Sequence, residues 1–331
     1  MNPNTIIISR TDSIGDVMLT LPMCGILKKH FPNVKIVFLA KAYTQAVVES
    51  CEHVDVFLNW EKISEGSPGS QIEILRKIGA DVIIHVFPRK EILWLAKRAH
   101  IPFRVATAGR LYTIGKCNKL VFFSRKKSSL HESQLNLKLL KPLGIDHEYS
   151  LSELCNFYGF SKINESAKIV VSDYLNSLQG ERRKVILHPL SKGSAPEWGL
   201  KNFEALIQII PEQQFEVFVT GTKEEGEKIR EVISFNKPNV HDVTGKFSLN
   251  ELIELIRVSD LLIAASTGPL HIAAACGVHA IGLYSPKRPL HPGRWSPLGK
   301  HTTVFVAQKH PLKGEKLTIS PHEILKVMQS S

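Results

Sequence analysis

The chain has 331 residues, 43% of them hydrophobic and 22% charged, and a formal net charge of +11. That length and composition suggest two globular domains, with apolar material for two cores, and exclude a disordered or fibrous chain. The excess of positive charge points to an anionic partner: a phosphorylated ligand, a nucleic acid or an acidic membrane surface.

Short apolar runs alternate with helix-period segments from end to end, the pattern of βαβ units around parallel sheets. Ile6, Ile7 and Ile8 form a first strand. It breaks into the polar turn Thr11-Asp12-Ser13-Ile14-Gly15-Asp16 and then a helix over 16–30, which Pro22 should kink or restart. In an open α/β sheet, ligands lie beyond the carboxyl ends of the strands. This first loop therefore offers Asp12, Ser13, Gly15 and Asp16 to a substrate, although Asp16 or Ser13 would serve equally as a helix N-cap.

Strands are expected at 35–40, 54–58 and 81–86, and helices at 43–49, 72–78 and 91–98. From Arg89 to Lys127 only Glu91 is acidic, and the cations of this window, Arg89 and Arg110 among them, carry nearly the whole net charge. So local a surplus reads as a basic patch rather than an ordinary solvated face. A helix over 132–141 ends at Pro142 and Gly144, and the weakly periodic 145–162 reads as an inter-domain connection.

After a helix over 165–178 the pattern restarts. The strand 184–188 leads into Ser191-Lys192-Gly193-Ser194, a loop with a lysine and two hydroxyls but without Walker spacing. No G-x-G-x-x-G follows the first strand, which argues against a nicotinamide dehydrogenase. A helix over 202–210, a strand over 216–220 and a helix opening with Glu224 and Glu225 follow. Glu225 suits either ribose hydroxyls or the helix dipole. Beyond a short extended piece at 240–243 and a helix over 249–257, the buried strand 260–264 runs into Ser266-Thr267-Gly268-Pro269-Leu270-His271 and a small-residue helix. Unpaired amides at a helix start, a glycine and a hydroxyl make an anion site, and equally an ordinary capped helix; His271 suits a phosphate or packing. A strand over 280–284 and a final helix over 321–329 complete the chain. Ser320 and Glu323 are spaced as a capping box for that helix.

The five cysteines are scattered without metal spacing, so reduced cytosolic thiols are expected. No signal peptide is expected from the first residues, and no apolar stretch is long enough to span a bilayer, so any membrane contact should be peripheral. The absence of Asp-x-Asp points away from a metal-held diphosphate and toward neutralisation by amides, hydroxyls and basic side chains.

SRTDSIGDVMLTLP near the start, STGPLHIAAACGVHAIGLYSP late in the chain and PEWGLKNFEALI between them together resemble the ADP-heptose:lipopolysaccharide heptosyltransferases, glycosyltransferase family nine. The resemblance implies a GT-B fold: two facing Rossmann-like domains with parallel sheets, at 1–160 and 161–315, and a C-terminal helix, 316–331, crossing back to the first. It implies metal-independent, inverting transfer of a heptose from ADP-heptose to an anionic lipopolysaccharide-core acceptor, at the cytoplasmic face of the inner membrane. No cofactor and no nucleic-acid partner are expected.

By the same resemblance Asp16 is the general base. The resemblance also implies that Ser191, Lys192, Glu225, Ser266, Thr267, Gly268 and His271 bind the donor; the first loop and the basic window themselves suggest Asp12, Ser13, Gly15, Arg89 and Arg110 for the acceptor. The pattern departs at Ser266, where many members carry aspartate, and near Pro196, where many carry a lysine that Lys192 would replace. The competing readings are a glycosyltransferase using another nucleotide sugar for surface polysaccharide, and an epimerase or hydrolase on the same fold.

Overall fold

The computed structural model describes residues 2–178 and 180–330. The chain divides into two compact units, Met1–Lys162 and Ile163–Ser331, against the boundary read at 160; Met1 and Ser331 themselves lie outside the described residues. Each unit is built on one six-stranded sheet.

In the first unit β1 (Thr5–Ser9), β2 (Lys35–Ala40), β3 (Val56–Asn59), β4 (Val82–His85), β5 (Phe103–Thr107) and β6 (Lys119–Val121) lie in the order β3-β2-β1-β4-β5-β6, with every pair parallel. The second unit has β7 (Arg183–His188), β8 (Phe215–Val219), β9 (Val240–Asp242), β10 (Leu261–Ala265), β11 (His279–Tyr284) and β12 (Thr302–Val306), ordered β12-β11-β10-β7-β8-β9. Counted from β7, this is the same order run in the opposite direction. Both orders reverse direction at one point, between β1 and β4 and between β7 and β10. A crevice opens there at the carboxyl ends of the strands.

The central strands are buried along their whole length, TIIIS in β1 and LLIAA in β10, because helices cover both faces of a parallel sheet. Pro22 restarts the first helix: Ile14–Met18 ends, and Leu21–His30 begins with the proline in its first turn, where the missing N–H costs nothing. Strands β5, β6 and β12 have no counterpart in the sequence reading. They lie toward the sheet edges, and charged or polar residues interrupt the apolar pattern in each (Phe103-Arg104-Val105, Lys119-Leu120-Val121, Thr302-Thr303-Val304).

One expectation about chain organisation is corrected. Residues 145–162 are not a free connection; they belong to the first unit. Tyr149, Tyr158 and Phe160 are buried, and the Glu52 N–H donates to the Gly159 carbonyl at 2.7 Å. Gly159 adopts φ +54 with His53 packed where a Cβ would stand, which is why a glycine sits there. The C-terminal helix, Pro321–Ser330, buries its apolar face in the core of the second unit. Ile324 and Met328 lie in the cluster that holds Trp198, Phe203 and Leu206. The Trp198 indole donates to the Ile319 carbonyl at 2.9 Å, and Arg183 to that of Met328 at 2.9 Å.

Candidate active site

In the first unit, the chain leaves β1 at Ser9 and places Arg10 in the crevice, 2% exposed. Three carboxylates converge on its guanidinium. Nε lies 2.7 Å from Asp12 Oδ1, a second nitrogen contacts Asp16 Oδ1, and a third stands 3.4 Å from Glu132 Oε1. Burial alone would discharge this arginine, but the surrounding carboxylates raise its pKa instead. Asp12 shows the opposite balance: burial outweighs the pull of Arg10, and with Asp16 adding repulsion the carboxyl is pushed up to about 6.

Asp16 sits in the first turn of Ile14–Met18, with Ser13 at the N-cap. The Ser13 hydroxyl donates to Asp16 Oδ2 at 2.6 Å. Each Asp16 oxygen thus holds one partner and keeps a lone pair. Glu132 is anchored from behind by Arg125, whose guanidinium also reaches Asn136 Oδ1 at 2.8 Å. Asn136 in turn donates to the Leu19 carbonyl at 3.0 Å, fixing the helix break beside Asp16.

Arg89 and Arg110 enter the same crevice. Arg89 donates to the Thr11 carbonyl at 3.0 Å. Arg10, Arg89 and Arg110 all lie over the ring of Phe87, at 6.0, 5.8 and 4.6 Å from its centroid. Three guanidinium groups thus gather around one aromatic ring, with Arg10 neutralised by its carboxylates and Arg89 and Arg110 carrying the positive charge. Asp12, Ser13, Gly15, Asp16, Arg89 and Arg110 are therefore neighbours in one unit. Other cations of the basic window are engaged in folding: Arg104 spans the carbonyls of Ile101 (2.5 Å) and Lys116 (2.7 Å), and Lys97 bonds that of Gly115 (2.8 Å).

In the second unit the corresponding crevice lies between β7 and β10. After β10 the chain turns at Ser266 and Thr267 into the helix Gly268–Ala275, with Pro269 in its first turn. Thr267 stands at the N-cap, yet its side chain makes no capping bond. Its hydroxyl is buried and has no partner among the described residues. His271, one turn on, is 2% exposed. The Tyr284 hydroxyl, beside Ser266, donates to the Trp295 carbonyl at 2.6 Å.

Beyond β7, Lys192 and Gly193 take left-handed φ values of 49 and 77. Lys192 is exposed, whereas the Ser191 hydroxyl is turned back into its own loop, 2.9 Å from the Ala195 carbonyl and 3.1 Å from Glu197 Oε1. Glu225 completes a capping box with Thr222, taking the Thr222 N–H on Oε2 at 2.8 Å. Lys192 and Glu225 nevertheless share a cavity of about 670 Å³, whose wall also carries Lys228, Lys316 and the backbone of Gly199.

The chain matches glycosyltransferase family 9 (heptosyltransferase) over residues 123–320. It belongs to that family. A Haemophilus influenzae protein named no further than as a glycosyltransferase is 26% identical over 298 residues, covering 88% of this chain and 86% of its own. The lipopolysaccharide core heptosyltransferase OpsX of the same organism is 19% identical over 314 residues, 92% of this chain and 85% of its own. The structure of Escherichia coli ADP-heptose lps heptosyltransferase II aligns at a TM-score of 0.76 and 17% identity, across 100% of this chain and 98% of that one. The fold is the α/β GT-B fold, and the protein is a glycosyltransferase.

Several residues of the two crevices escape a reading by sequence alone. Arg10, Glu132 and Arg125 organise the acidic loop, but they lie 122 and seven residues apart in sequence. His188, the last residue of β7, bonds Thr220 at 2.9 Å; burial, opposed by Glu225 and helped by Lys192, pushes its pKa down to about 4. The available signal was its place at the carboxyl end of the strand beside the sheet's reversal point.

Proposed function

We infer that this glycosyltransferase moves a heptose from ADP-heptose to a lipopolysaccharide-core acceptor, with inversion at the anomeric carbon and Asp16 as general base. The observation that carries the donor half is Thr267. A buried hydroxyl that makes no capping bond, at the start of a helix, where the first N–H groups lack intrahelical partners, suits a diphosphate oxygen. Lys192 and Glu225 on one cavity wall suit a phosphate and a ribose. Ser266 and His271 flank the same turn, and Ser191 contributes by shaping the loop that presents Lys192.

On the acceptor side, Arg89 and Arg110 offer positive charge above Asp12, Ser13 and Gly15, as an anionic acceptor requires. Asp16 would take the acceptor hydroxyl's proton while the glycosidic bond breaks, and the fixed dipoles at Thr267–Gly268 would receive the charge on the departing diphosphate. The names of relatives support this reading: one is a lipopolysaccharide core heptosyltransferase, another an ADP-heptose lps heptosyltransferase. No helix of the described residues is long and apolar enough to cross a membrane, so contact with the inner membrane, where such an acceptor resides, would be peripheral.

The test is calorimetric binding of ADP, UDP, GDP, CDP and ADP-heptose without added metal, followed by product analysis with and without acceptor. Selective binding of ADP and ADP-heptose, and heptose transfer only with acceptor, is expected. Preference for another nucleotide would overturn the donor, and turnover without acceptor would indicate hydrolysis or epimerisation.

A further inference from the structure

The edge of the first sheet carries a surface that its own fold leaves unused. Strands β5 and β6 run parallel, with Thr107 registered on Val121, and the Ala108 N–H donates to the Val121 carbonyl at 2.9 Å. The segments that follow them therefore leave the sheet side by side at its carboxyl end. The loop after β5 has its own inward residues. The Tyr112 hydroxyl bonds the Pro88 carbonyl, the Thr113 hydroxyl bonds that of Arg110, and Cys117 is buried against Leu93 and Ala106.

The remaining apolar side chains point outward. Leu111 is 87% exposed, Phe122 85% and Ile114 58%. Single exposed apolar residues are ordinary, but three large ones on neighbouring loops are not. Their setting is also one-sided in charge. No acidic residue occurs from 92 to 131, and among the described residues no carboxylate pairs with Lys116, Lys119, Lys126 or Lys127. Trp94, also exposed, lies on the helix Lys90–Arg98 that Lys97 fastens to this loop through the Gly115 carbonyl.

We propose that Leu111, Ile114 and Phe122, in a stretch of chain that carries Lys116, Lys119, Lys126 and Lys127 and no acid, form a docking surface for an anionic lipid bilayer, with the apolar tips entering between the headgroups. Lysines near such a surface and apolar side chains at the headgroup boundary contribute independently to binding. Two of the three tips, Leu111 and Ile114, are aliphatic and offer no ring for a base to stack on, which favours a bilayer over a nucleic acid. This names the surface for the membrane contact proposed above and rests on that reading.

The experiment is co-sedimentation of the full chain, without donor or acceptor, on vesicles of phosphatidylcholine alone or mixed with phosphatidylglycerol, at low and high salt. The wild type should bind the anionic vesicles at least about tenfold more tightly and lose that preference in high salt. The double variant Leu111→Ser/Phe122→Ser should bind about tenfold more weakly, and replacing the four lysines by glutamine should abolish the salt dependence. The double variant alters exposed side chains only, so its thermal unfolding and ADP binding should match the wild type.

Three results would overturn the proposal: equal binding to both vesicle types, wild-type affinity in the double variant, or tighter binding to mixed-sequence RNA than to vesicles. Because vesicle binding is read without turnover, its failure leaves heptose transfer standing. Absence of turnover, conversely, leaves vesicle binding standing.

Discussion

Replacing Arg10 by methionine tests the organisation of the acidic loop most directly. Arg10 is 2% exposed and is the shared partner of Asp12, Asp16 and Glu132. Glu132 would keep Arg125, but Asp12 and Asp16 would lose their opposite charge in a partly buried crevice. Removing one side of a buried ion pair costs about 3–5 kcal/mol, since the charges left behind stay desolvated. Asp12 already titrates near 6 with the arginine in place, because burial outweighs it. Without Arg10 its carboxyl must rise further, each pKa unit representing about 1.4 kcal/mol.

The sign with pH follows from this. A carboxyl whose folded pKa lies above its unfolded value binds more protons in the folded state, so stability falls as pH rises through that window. The deficit of Arg10→Met relative to wild type should therefore be largest near pH 8 and shrink toward pH 5, where folded carboxyls are protonated. Urea unfolding of both proteins at the two pH values, following the transition of the first unit, measures it. A deficit below about 1 kcal/mol at pH 8, or one equal at both pH values, would refute the account of Arg10 as the charge that holds this loop.

Asp16→Asn should lower turnover by about a hundred- to ten-thousand-fold in a transfer assay while ADP affinity by calorimetry stays unchanged; near-normal turnover would remove Asp16 as the base. Thr267→Val should leave thermal stability unchanged or slightly raised, because the hydroxyl caps nothing, yet weaken ADP binding by about 0.5–1.5 kcal/mol, and unaltered affinity would deny it a phosphate contact. His85, at the end of β4, is fully buried, and burial, assisted by Arg104, pushes its pKa down to about 3. Between that value and about 6.5 the unfolded chain binds the extra proton, so stability falls as pH drops. His85→Leu should recover about 2 kcal/mol at pH 5 relative to pH 8, and an unchanged acid slope in urea titrations would contradict this.

The sequence by itself determined the alternation of strands and helices, and with it two parallel sheets, because a strand covered on both faces must be apolar throughout. Ile6–Ile8 and Leu261–Ala265 carry that signature unaided. It also marked the loops after β1 and β10, since a turn of hydroxyls, glycine and carboxylates at a strand's carboxyl end is written in consecutive residues.

What those residues touch was decided only by the tertiary structure. Glu225 looks equally like a ribose ligand or a cap until the Thr222 bond is seen, and Thr267 looks like a cap until its hydroxyl is found unused. The basic window reads as one patch, but folding divides it: Arg104, Lys97 and Arg125 are engaged inside the unit, Lys116 and Lys119 are half-buried, and Lys126 and Lys127 are exposed. The C-terminal helix shows the same limit. Its apolar stripe is plain in the sequence, but which core it fills depends on the shape of the groove beside Trp198 and Phe203, and an amphipathic pattern specifies a buried face without specifying its partner.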